Sequence, residues 1–80
     1  MLHTIYLIMA MCDSSGLQCD FEATSVYEGV NYSETVKECE TELSLYPLSQ
    51  DAGCYKILEE TSQAIVFESV NDDRVLIFEQ

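Results

Sequence analysis

The segment that most constrains the fold is residues 2–11. Leu2 through Met11 is apolar except for His3 and Thr4. In an extended chain Ile5, Leu7 and Met9 fall on one side and Tyr6, Ile8 and Ala10 on the other, because successive side chains of a strand point to opposite faces. A strand that is apolar on both sides belongs in the interior of a sheet. The run is too short for a membrane-spanning helix, which needs about 20 apolar residues. No Lys or Arg precedes Lys37, so the basic flank of a secretory signal is missing. The expectation is a buried strand over Thr4 to Met11.

The remaining elements follow from turn chemistry and periodicity. Asp13-Ser14-Ser15-Gly16 reads as a turn, and Gln18 to Ala23 as a short second strand hairpinned to the first, ended by Glu28 and Gly29. Asn31 is a good helix N-cap, with Glu34 three residues later. Tyr32, Val36, Cys39, Leu43 and Tyr46 then recur at helical spacing, and Pro47 disfavours helix at Tyr46. The spacing predicts a helix from about Tyr32 to Leu45. Cys54 to Leu58, Gln63 to Ser69 and Val75 to Phe78 read as strands separated by short polar turns. The expected fold is a single α+β domain over residues 1–80, with one helix packed on a mostly antiparallel sheet of four to five strands. Val36, Cys39 and Leu43 should meet a sheet face carrying Tyr6, Ile8, Ile57, Val66 and Ile77, or their alternates.

Charge narrows the function. The 80 residues carry 15 Asp and Glu against 3 Lys and Arg, a net charge of −12, while 48% of the residues are hydrophobic. That hydrophobic content is enough for a folded domain rather than an acidic tail. Direct nucleic-acid binding, attachment to anionic membranes and recognition of phosphorylated ligands all need more cations than these three.

Cys12, Cys19, Cys39 and Cys54 admit three readings. Reduced, buried thiols are the first, two disulfides in one of three pairings the second. Structural zinc is the weakest, because its ligands favour separations of two to four residues and Cys12 and Cys19 stand farther apart. No catalytic set is nominated. His3 is the lone histidine and has no evident orienting partner, and Asp13 to Gly16 lacks the spacing of a calcium loop. Asn31-Tyr32-Ser33 matches a glycosylation sequon, but Asn31 serves as a cap. Tyr27, beside Glu28, is a candidate exposed aromatic. No cofactor and no metal is expected.

The informative pattern is acidic. Glu34, Glu38 and Glu42 repeat every four residues on the helix, and Glu40 adds a carboxylate at its flank. Like charges at that spacing destabilise a helix by about 0.2–0.5 kcal/mol per pair. Asp72 and Asp73 form a second group in a turn. Such surfaces suit a basic partner, so Glu34, Glu38, Glu40, Glu42, Asp72 and Asp73 are the candidate partner-binding residues.

In its size, its charge and the row Glu34, Glu38, Glu42, the chain resembles small phage-encoded inhibitors of bacterial defence, among them anti-CRISPR proteins and uracil-DNA-glycosylase inhibitors that act as DNA mimics. The resemblance is one of type, with no shared motif. It implies a non-catalytic inhibitor in the cytoplasm of a bacterial host. Such an inhibitor would block a basic DNA-binding protein or a CRISPR surveillance complex, without touching nucleic acid or membrane itself. The alternatives are a small secreted or periplasmic domain held by disulfides, and a regulatory subunit that binds through a sheet edge.

Overall fold

The computed structural model describes residues 1–47 and 51–79. Along the chain come β1 (His3–Cys12), β2 (Cys19–Gly29), α1 (Tyr32–Leu43), β3 (Ala52–Glu60), β4 (Ala64–Ser69) and β5 (Val75–Glu79). The five strands form one sheet in the order β2-β1-β3-β4-β5, and every neighbouring pair is antiparallel. The architecture is the expected α+β arrangement of one helix against one antiparallel sheet.

Strand β1 lies inside the sheet, as its two apolar faces require. Ile5, Leu7 and Met9 pack with Cys39 of α1 and Cys54 of β3, and Tyr27, Val36, Leu43, Tyr46, Ala52 and Val70 close around them. On the other face, Ile8 packs with Tyr55 and Phe67. Of the two alternatives on β1, the helix therefore covers Ile5, Leu7 and Met9 rather than Tyr6 and Ile8. Val36 and Leu43 are half-buried while Cys39 is fully buried. Val66 and Ile77 do share the helix side of the sheet by register. The helix does not reach them, since among the described residues no Cα of α1 lies within 8 Å of β4 or β5.

The helix starts where its cap predicts. Asn31 Oδ1 accepts the Glu34 backbone N–H at 3.0 Å, and the Thr35 hydroxyl donates to the Asn31 carbonyl at 2.8 Å. Thr35 is buried against Gly29, where a Cβ would sit 2.5 Å from Thr35 Oγ1. So the end of β2 can approach the first helical turn only as glycine. At the other end the helix closes at Leu43, two residues earlier than expected. Leu45 N–H and Tyr46 N–H donate to the Glu42 and Leu43 carbonyls, the tighter three-residue spacing common at helix ends.

Strand β2 is longer than its sequence suggested, running through Glu28 to Gly29. Pairing with β1 slips between Leu7 and Ile8, so that Thr24 is the extra residue. Phe21 and Ala23 precede the bulge and Val26 follows it on the same face. A bulge of this kind resets the alternation and bends the strand. A second slip, between Ile57 and Glu59, lies in β3. Tyr27, on the helix side after the reset, packs against the core rather than standing out as an exposed aromatic.

No helix covers the Ile8 face, yet Ile8, Tyr55 and Phe67 are only 0%, 2% and 5% exposed. The sheet supplies its own cover by coiling. Phe21 of β2 and Leu76 and Phe78 of β5, from opposite edges, line one groove. Inside the concavity Phe67 meets Tyr6 and Phe78 edge-to-face, each at 5.2 Å between ring centres. Such pairs add about 0.5–1.5 kcal/mol beyond their buried area.

The cysteines are not the free thiols favoured by the sequence. Cys12 pairs with Cys19, and Cys39 with Cys54. Cys12 and Cys19 stand opposite each other in the β1–β2 register, with Cα atoms 4.0 Å apart, so the hairpin itself brings them together. Cys39 and Cys54 come from α1 and β3 and lie wholly in the core. Neither juxtaposition is visible in linear spacing. The Cys39–Cys54 link closes a longer loop, 15 residues apart against 7. In the loop-entropy picture these contribute about 3 and about 2 kcal/mol. Replacing Cys39 and Cys54 by Ala should therefore lower the urea midpoint more than replacing Cys12 and Cys19. The reverse order would mean that the helix docks without help from its cross-link.

Candidate functional site

In antiparallel pairs, residues opposite one another project from the same face. Tracing the registers outward from Ile5, Leu7 and Met9 assigns each strand acid to a side. Asp20, Glu22, Glu59, Glu68 and Glu79 fall on the helix side, and only Glu28 and Glu60 on the concave side. The helix adds Glu34, Glu38, Glu40 and Glu42 to the first group. Most strand acids thus lie on the face opposite the aromatic cluster of Tyr6, Tyr55, Phe67 and Phe78.

At about 100° per residue, Glu34, Glu38 and Glu42 form one continuous row along a flank of α1. Glu40 stands about 160° from Glu42 and belongs to the other flank. Glu34, Glu38 and Glu40 are exposed and Glu42 is half-buried. Among the described residues, none of the four has a cationic group within 4.0 Å. Of the three bases, only Lys37 is near the row. Lys37 lies among Glu34, Glu38 and Thr41 on the outer surface of the helix. Lys56 Nζ sits 5.7 Å from the centre of the Tyr32 ring, and Arg74 is engaged by two aspartates.

Asp72 and Asp73, the other candidate residues, lie in the exposed β4–β5 turn, away from the helix. Asp72 is occupied there. Its Oδ1 accepts the Arg74 backbone N–H at 3.0 Å, and its Oδ2 pairs with Arg74 Nε at 3.1 Å. Arg74 reaches on to Asp51 at 3.3 Å and lies 5.9 Å from the centre of the Tyr55 ring. Asp72 is therefore a turn-forming group, and Asp73 is the freer of the two. Asp51 completes this cluster and was not singled out in the sequence. Its neighbour across the fold is 23 residues away, a distance that carries no local signal.

The titration behaviour follows the hydrogen bonds. The Arg74 backbone N–H holds the Asp72 carboxyl below its ordinary value, helped by the Ser69 hydroxyl and the guanidinium. Asp13 is lowered chiefly by the Ser15 hydroxyl, which donates to Oδ1 at 2.6 Å. Burial raises the Tyr55 phenol, against the opposing pull of Arg74. A depressed carboxyl means that the unfolded chain binds more protons near its pKa, so the stabilisation is present at higher pH and is lost on acidification.

A cavity of about 330 Å³ beside β1 is lined by His3, Tyr32 and Lys56, with Leu2, Ile57 and the β1 residues Thr4 to Tyr6. His3 meets Tyr32 edge-on at 5.4 Å, and no carboxylate lines the cavity to orient the imidazole. Among the described residues, no cluster of three or more His, Cys, Asp or Glu is placed to hold a metal ion, and no helix is long and apolar enough to cross a membrane. Comparison with protein-family models, curated proteins and solved structures finds no match to this chain.

Asp72→Asn should lower the melting temperature at neutral pH. The difference from the parent should shrink as pH falls through 3.8 and below, where Asp72 itself becomes neutral. A difference that stays constant from pH 7 to pH 2 would show that the carboxylate charge is irrelevant to the turn.

Proposed function

We propose that this chain is a non-catalytic inhibitor that presents the acidic flank of α1 to a basic DNA-binding protein and competes with its DNA. The observation that carries this reading is the sorting of most strand acids onto the helix side, with the row Glu34, Glu38, Glu42 forming no ion pair within 4.0 Å among the described residues and only Lys37 beside it. Consecutive members of that row are about 6 Å apart along the axis, four residues at 1.5 Å each. A single DNA strand carries one charge per about 3.4 Å. The row thus offers roughly half the linear charge of a DNA strand on a rigid support, and Asp20 and Glu22 of β2 extend the same side. The target class is a bacterial defence complex or another protein with a Lys- and Arg-lined DNA groove, met in the host cytoplasm.

A second reading is favoured by the two disulfides. Small domains with this feature are common in oxidising compartments. On that reading the chain is an exported domain and its acidity serves solubility. Intact mass after alkylation of unfolded protein, taken directly from expressing cells, separates the two: added alkyl groups indicate thiols in the cytoplasm, and their absence indicates disulfides.

The test of inhibition is DNA binding by a captured basic partner with and without the domain. Single exposed ion pairs contribute about 0–1 kcal/mol, so each of Glu34→Lys, Glu38→Lys and Glu42→Lys should weaken binding less than about fivefold. The triple variant should lose about a hundredfold or more through like-charge contacts in the interface. Binding should weaken between 50 and 500 mM salt, as the screening length falls from roughly 14 to 4 Å. A partner that holds DNA equally well in the presence of the domain overturns the reading.

A further inference from the structure

The concave face of the sheet is unfinished. Its two edge strands, β2 and β5, line a common groove of about 310 Å³ through Cys19, Asp20, Phe21, Leu76, Phe78 and Glu79. Among the described residues, no Cα of β2 lies within 8 Å of a Cα of β5. Paired strands sit about 4.8 Å apart, so two edges with one strand between them would be separated by about 10 Å. The gap is too wide for direct pairing of the edges, and residues of both edges line the groove that separates them.

Topology gives the same answer independently. Alternating direction along β2-β1-β3-β4-β5 makes β2 and β5 run the same way. Five antiparallel strands cannot close into a barrel without one parallel join. A sixth strand running the opposite way would be antiparallel to both edges and would complete an alternating barrel, in which no edge remains. The surface area fits an incomplete structure. A folded monomer of 9.1 kDa is expected to expose about 4,900 Å², whereas this one exposes 5606 Å².

We infer that the groove between β2 and β5 accepts an extended segment of a partner protein as a sixth strand, one that alternates apolar and basic residues. Its inward side chains would meet Phe21, Leu76 and Phe78, which are half-buried around the mouth of the concavity. Its outward side chains would lie beside Asp20, Glu22 and Glu79 on the acidic side, which sets their charge as positive. A second copy of this chain is disfavoured as occupant, because each copy carries −12. The proposal deepens the reading of a basic protein partner and rests on it for the sign of the occupant's charge. The strand-accepting geometry rests on the sheet alone.

The test uses the full disulfide-bonded chain, isotope-labelled, and a nine-residue peptide alternating valine with lysine or arginine. At saturation, amide exchange should slow in β2 and β5 together, by about tenfold or more, and stay unchanged in α1. The same peptide N-methylated at every second residue keeps its charges but loses the hydrogen bonds to one edge. It should bind at least about tenfold more weakly, as should a version with glutamate at the basic positions. Equal binding of the N-methylated peptide would overturn the proposal, since charge alone would then explain association. Protection of a single edge, or of neither, would do the same. Concentration-dependent dimerisation that protects the edges without peptide would replace the partner strand with a second copy. The Glu34→Lys, Glu38→Lys, Glu42→Lys variant separates the two readings, because it should still take the peptide within about threefold. A domain that takes the peptide across both edges yet leaves every partner's DNA binding intact keeps the groove and loses the inhibitor reading. One that competes with DNA but ignores the peptide does the opposite.

Discussion

Burial of β1 on both of its faces is the constraint from which the rest of the structure descends. Ile5, Leu7 and Met9 on one side and Ile8 on the other are almost entirely removed from water. At about 1.5–3 kcal/mol for each large apolar side chain fully buried, these four residues contribute about 6–12 kcal/mol, comparable to the whole net stability of a typical domain. The chain has one helix to offer and two faces to cover. It lays α1 over β2, β1 and β3, fastens it with the Cys39–Cys54 link, and coils the sheet to shelter the other face. The bulges opposite Leu7 and in β3 belong to this solution, because a flat sheet would leave Ile8 and Tyr55 in water.

The sorting of charge follows from that coiling. A carboxylate pointing into the concavity would be desolvated beside aromatic rings, at a cost that a marginally stable domain cannot absorb. Most acids of the strands therefore collect on the helix side, where solvent is open to them, and the two on the concave side, Glu28 and Glu60, are exposed. There they join the acids of α1 and repel one another. The two disulfides limit the unfolded chain and help the fold tolerate this repulsion. Acidity gathers on one face and an unclosed aromatic concavity lies on the other, and the two proposals above assign one surface to each.

Much of this was legible in the residues themselves. The two-faced apolar run of β1, the Asn31 cap, the stripe through Val36, Cys39 and Leu43, and the turns at Asp13 and Asp72 all act through neighbours a few positions apart, and local spacing records such interactions. So does the row Glu34, Glu38, Glu42, since four residues are about one helical turn. These determined the class of fold, the place of the helix and the sign of the surface. What the tertiary structure decided are matters of register and curvature. The extra residue at Thr24 reset the alternation of β2 and hid its second half, and it also moved Tyr27 into the core. Cys12 meets Cys19 and Cys39 meets Cys54 only once strands and helix are docked, so free thiols and disulfides look alike in the sequence. Arg74 binds Asp51 from 23 residues away and turns Asp72 from a free carboxylate into a structural one. The facing of β2 and β5 across a groove needs the accumulated twist of five strands, a sum over the whole sheet that no short window of residues contains.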